Sequence, residues 1–83
     1  MMDVVLVSPQ KELFKGSASS VLFRAKEGMM EILPNHAPSL SELSAGDVEI
    51  LSDSGIKKFN ISSGFAEIHD NKIVLLVRET VGQ

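Results

Sequence analysis

At 83 residues the chain is enough for one small domain, which buries only about 60 to 65% of its unfolded surface, so the core is thin. It has no cysteine, Trp or Tyr and four Phe, so neither disulfides nor thiolate metal sites supplement a core that must come from valine, isoleucine and leucine. A net charge of −3, from eight basic residues scattered among eleven acids, argues against a nucleic-acid surface, and so does the lack of Trp and Tyr for base stacking.

Asp3 to Val7 is apolar on both faces, which suits a central strand, and Ser8-Pro9-Gln10 ends it with turn chemistry. Leu13 and Phe14 begin a second strand that Gly16 is expected to break. From Ser20 to Arg24 the alternation resumes, with Val21 and Phe23 on one face and Leu22 on the other, and Lys26-Glu27-Gly28 turns the chain. In the next strand Met29 and Glu31 share a face and Met30 takes the other.

The stretch from Gly28 to Pro38 then becomes a bend. Pro34 removes a ladder donor and Pro38 pushes Ala37 into an extended conformation. Asn35 is the expected left-handed residue, because Asn tolerates positive φ best among non-glycine types. A rigid turn that holds the His36 imidazole at a sheet edge is the first place to look for function. Beyond it, Leu40 and Leu43 are spaced for one helical turn, but the neighbouring serines and short span favour a strand.

Two hairpins follow. A four-residue loop, Ser52-Asp53-Ser54-Gly55, pairs Leu51 with Ile56 and so sets Glu49 against Lys58 as an ion pair and Val48 against Phe59. Ser62-Ser63-Gly64 reads as a bend or bulge where Gly64 allows close backbone approach. The second hairpin turns at Asp70-Asn71, a type I′ pair, and sets Ile68 against Ile73, Ala66 against Leu75 and Phe65 against Leu76. In the last strand Ile73, Leu75 and Val77 fill the core. Val74 and Leu76 are left on the other face beside Phe65, a two-sided apolar strand at a domain edge that calls for a covering partner. The strand is expected to finish near Gln83. No window of about 11 residues keeps a helical period, so the fold class is all-β, a small antiparallel sandwich of roughly nine or ten short strands over residues 1–83.

Chemistry is harder to find. His36 and His69 are the only histidines, without the three or four clustered donors that zinc needs; His36 is as well explained by a ring nitrogen bonded to a backbone carbonyl of the bend, and His69 by a solvent-facing hairpin end. No serine lies in a Gly-x-Ser-x-Gly elbow, no glycine loop leads into a helix, and Glu27 and Glu31 read as solvated carboxylates. No catalytic, metal or cofactor site is expected. The longest apolar run, Ile73 to Val77, falls far short of the ~20 residues of a membrane helix, and Met1-Met2-Asp3 lacks a basic export region, so any membrane association is expected through partners.

In the bend, Gly28, Ile32, Leu33, Pro34, His36, Ala37 and Pro38 fit the pattern Gly-Glu-x-Gly-(Ile/Val)-(Leu/Tyr)-Pro-Gly-His-Ala-Pro, and through it the sequence resembles the epsilon subunit of F-type proton-translocating ATP synthases, called delta in mitochondria. Pro9, Phe14, Gly16, Gly46, Ser62-Ser63-Gly64-Phe65, Glu67, Asn71 and Val74 carry the resemblance along the whole chain. Met29, Glu31 and Asn35 depart from the pattern, where an acid and two glycines are usual.

The resemblance implies a non-catalytic central-stalk subunit that docks the gamma subunit to the ring of c subunits and couples proton flow to ATP synthesis, at the cytoplasmic face of a bacterial inner membrane. Its expected contacts are Met29, Glu31, Asn35 and His36 on the c-ring side and Phe65, Val74 and Leu76 on the gamma side, with Glu31 taking over from the acid missing at Met29. Family members usually continue into a pair of C-terminal helices that hinder rotation during hydrolysis. This chain either lacks them naturally or was cut; if 83 residues is its natural length, coupling without that inhibition is the expectation. The alternative is a free-standing β-sandwich adaptor or small-ligand module of the same architecture.

Overall fold

A computed structural model describes residues 1–80, so the expected strand end near Gln83 lies outside the described residues. Among the described residues eight strands follow one another without a helix: β1 (Met2–Val7), β2 (Glu12–Ala18), β3 (Ser20–Ala25), β4 (Gly28–Ile32), β5 (Ser39–Leu43), β6 (Gly46–Ser52), β7 (Gly55–His69) and β8 (Lys72–Glu79). The all-β sandwich is as expected, with eight strands in place of nine or ten. Punctuation in the sequence overcounts because two strands run through their glycines. β2 continues across Gly16, which pairs with Val4, and β7 continues for 15 residues across Ser62-Ser63-Gly64.

The strands form one hydrogen-bonded sheet folded over on itself. One layer is ordered β2-β1-β8-β7-β5, and the other is β4-β3-β6 with the first half of β7. β7 passes between the layers, and the bridge Ala25↔Leu43 joins β3 to β5 on the other side. Pairing is antiparallel except for β1 with β8, which run parallel from Asp3↔Lys72 to Val7↔Leu76. β8 is therefore not an edge strand: β1 and β7 flank it, and β2 and β4 are the ends of the sheet. Its apolar outer side is exposed through a face of the sheet.

The core lies between the layers. Val4, Leu6, Ile73, Leu75, Ala66 and Ile68 from one side meet Val21, Phe23, Ile32, Val48, Ile50 and Ile61 from the other, all buried. In β7 the inward positions are Phe59 and Ile61 before the serines, and Gly64, Ala66 and Ile68 after them. The phase changes at Ser62, where the β7–β8 register slips between Ile61 and Ser63 and one extra residue is accommodated. The predicted bulge thus lets a single strand serve both layers.

Both hairpin registers are as expected, with Leu51↔Ile56 and Val48↔Phe59 in one and Ile68↔Ile73, Ala66↔Leu75 and Phe65↔Leu76 in the other. The first turn is tighter than the predicted four-residue loop, because Ser52 pairs with Gly55 and only Asp53 and Ser54 remain between them. Glu49 does face Lys58, yet the Lys–carboxylate pair closed among the described residues is Lys26–Glu42, so this pair stays open to water. At the second turn Asp70 and Asn71 both have positive φ, 53° and 57°, as a type I′ turn requires. Gly64 is indispensable for packing: a Cβ there would stand 2.6 Å from the Leu76 carbonyl oxygen.

Candidate functional site: one apolar face and one clamped end

Because paired residues share a face, the sheet register shows which exposed side chains stand together. Across the outer face of the first layer, one row runs Glu42, Phe65, Leu76, Val7 and the next runs Leu40, Glu67, Val74, Val5, Lys15. Phe65, Leu76 and Val7 are direct neighbours, with Val74 and Val5 alongside, so five apolar side chains form a continuous stripe. Phe65 and Leu76 are 50% and 55% exposed, values that a closed core would not leave. A groove of about 340 Å³ borders the stripe, with Phe65, Leu76 and Gly64 along it and the carboxylate Glu42 and guanidinium Arg78 among its lining residues. The structure thus brings Phe65, Val74 and Leu76 together and adds Val5 and Val7, whose signal was the two-sided apolarity of β1.

The other predicted group is divided. Met29 and Glu31 lie on the outer face of the second layer, opposite Arg24 and Leu22 respectively, and both are exposed. Met30 turns inward against the core, where its sulfur accepts a hydrogen bond from Ser41 Oγ at 3.5 Å. Asn35 and His36 instead stand at the end of the sandwich. Counting six residues at ~3.3 Å each, Met29 is about 20 Å of chain away from Asn35.

At that end the bend has the predicted geometry. Asn35 is left-handed with φ 67°. The half-buried His36 ring places Nδ1 2.7 Å from the Ala37 carbonyl, so Nδ1 carries the proton and donates, leaving Nε2 free to meet a partner. Sequence reading missed what anchors the bend. The Asn35 backbone N–H donates to Asn71 Oδ1 at 2.9 Å, and Asn71 Nδ2 donates to the Met1 carbonyl at 2.8 Å. The Asp3 N–H also donates to the Asn71 carbonyl at 3.1 Å. One residue of the β7–β8 turn therefore ties the bend to the start of β1. Nearby, His69 Nδ1 lies 3.0 Å from Asp70 Oδ2 at the solvent-facing hairpin end. No group of three His, Asp or Glu among the described residues is arranged to hold a metal ion.

The geometry is thus an exposed apolar face on one layer and a stiff polar bend at the end of the sandwich. The model of the family described as "ATP synthase, Delta/Epsilon chain, beta-sandwich domain" matches residues 1–83, and the chain belongs to that family. It is 40% identical over 75 residues to the ATP synthase epsilon chain of Leptospira interrogans, a match covering 90% of this chain and 59% of the relative. Against the ATP synthase epsilon chain of Chlorobium limicola it is 39% identical over 75 residues, covering 89% of this chain and 85% of that relative. The chain thus spans about three-fifths of the first relative's length and most of the second's. Among solved structures, a chain of the Tetrahymena thermophila mitochondrial ATP synthase central stalk and c-ring superposes with a TM-score of 0.84 at 26% identity, over 94% of this chain and 63% of that one.

Proposed function

We propose that the domain is a non-catalytic rotor component of an ATP synthase, which fastens the gamma subunit to the membrane-embedded ring of c subunits and so couples proton flow to ATP synthesis. The observation that carries this reading is the apolar stripe of Phe65, Leu76, Val7, Val74 and Val5, which lies on strands already hydrogen-bonded on both sides. A surface of this kind gains stability by being covered, and gamma is the proposed cover. The end carrying Asn35 and His36 is proposed to meet the c-ring, with Glu31 and Met29 as further contacts on the outer face of β4. The complex is placed at the cytoplasmic face of a bacterial inner membrane, with membrane contact through the ring alone.

Co-expression with gamma tests the reading. The wild-type chain is expected to co-purify with gamma, and a Phe65→Ser, Leu76→Ser variant that retains the wild-type unfolding midpoint is expected not to. Retention of gamma by a folded double variant overturns the assignment of this face. Failure of the wild type to bind gamma at all favours the free-standing adaptor.

A further inference from the structure

We infer that Asn71 is a positioning residue, whose side-chain carboxamide holds the Asn35-His36 bend in the one placement that lets it engage its partner. The inference rests on the proposed function of that end and names the residue that controls it. Nothing in the bend's own sequence locks it to the domain. Pro34 and Pro38 stiffen it internally, and the His36–Ala37 hydrogen bond closes within it. The direct hydrogen bond recorded from the bend to another part of the chain is the Asn35 N–H to Asn71 Oδ1, across 36 residues of sequence.

The acceptor is itself held. Asn71 sits in a two-residue turn with φ 57°, its Nδ2 is engaged by the Met1 carbonyl, and its own carbonyl receives the Asp3 N–H. The amide therefore cannot rotate without losing a bond at each end. This orients the oxygen toward the bend and assigns the amide's two ends unambiguously. Asn at this turn position does two jobs: it tolerates the left-handed conformation, and it offers both an acceptor and a donor. Glycine can perform the first job and aspartate the first plus the acceptor, so the roles are separable by mutation.

The test uses the full 83-residue chain with Asn71→Gly, Asn71→Asp and His36→Ala. Two quantities are read: hydrogen exchange at the Asn35 amide, and affinity for ATP synthase particles depleted of this subunit. Asn71→Gly keeps the turn. It is expected to speed Asn35 exchange about tenfold and weaken binding about tenfold, with the β7–β8 ladder amides as protected as before. Asn71→Asp retains the acceptor for the Asn35 N–H and loses the donor to Met1, so both readings are expected to fall between those of the wild type and those of Asn71→Gly.

Unchanged Asn35 exchange in Asn71→Gly overturns the inference, as does equal loss in the Gly and Asp variants, which would make the Met1 tie the operative one. Faster exchange with undiminished binding also overturns it. In that case His36→Ala separates the causes: if it weakens binding, the end still meets a partner and only the role of Asn71 fails; if it does not, the proposed contact itself fails.

Discussion

The two outer faces of the sandwich expose similar numbers of large apolar side chains and use them differently. On the β5-β7-β8-β1 face the register aligns them, so Phe65, Leu76 and Val7 are adjacent; Glu42, Arg78 and Lys15 stand at the margins or row ends, and Glu67 interrupts the neighbouring row between Leu40 and Val74. On the β4-β3-β6-β7 face the row Glu31, Leu22, Glu49, Lys58 surrounds its one leucine with charge, Met29 faces Arg24, and Leu51 and Ile56 pair near the exposed hairpin turn. Ile56 at 59% exposure is more open than Leu76 at 55%, so exposure alone does not single out the proposed docking face. Continuity across strands does.

The largest effect that can break this contrast is at Gly64. Its absent Cβ lets Leu76 approach, and Gly64→Ala forces the β7–β8 pair apart beneath the stripe. A loss of about 2 to 3 kcal/mol in unfolding free energy is expected, read from the denaturant midpoint at constant slope. A variant as stable as wild type would mean that the close approach is dispensable.

Charge placed on each face in turn sharpens the comparison directly. Leu76→Glu is expected to weaken binding to gamma by at least about 2 kcal/mol, roughly 30-fold, while leaving the domain folded. Ile56→Glu is expected to change the same affinity by less than about 0.5 kcal/mol. Titration calorimetry with purified gamma measures both, and equal losses would erase the distinction between the faces.

The bend belongs to neither face, and Asn35→Val isolates its contribution. A β-branched residue at φ 67° is strained, so a stability loss on the order of 1 to 2 kcal/mol is expected on thermal or chemical unfolding. An unchanged midpoint would show that the bend relaxes freely.

Among the proposed contact residues, the smallest effect is expected on the charged face. Glu31 is exposed beside Leu22, and Glu31→Gln should reduce affinity for the c-ring by under about 1 kcal/mol and flatten its salt dependence. Binding measured at two ionic strengths checks this; if both values match wild type, the carboxylate does not stand in for the acid missing at Met29.

Much of this architecture is determined by residues close in sequence. Alternation assigns Val21 and Phe23 or Ile73, Leu75 and Val77 to the core because side chains in a strand alternate strictly between faces. Turn chemistry sets both hairpin registers, since Asp70-Asn71 can enter the left-handed region together, and Asn35 is readable for the same reason. The grouping of Phe65 with Leu76 follows from that register as well.

Tertiary structure decided the rest, because it depends on which strands become neighbours across long separations. Nothing local makes β1 run parallel to β8, yet that pairing moves β8 from the edge to the interior and brings Val5 and Val7 into the stripe. Gly16 resembles a strand end in one dimension and is an interior position in three, since backbone continuity is set by the hydrogen-bonding partner and not by local propensity. Local sequence marks Asn71 as a turn residue; only the fold places its carboxamide between Met1 and Asn35, where a single side chain can satisfy two backbone groups that no neighbour in sequence reaches.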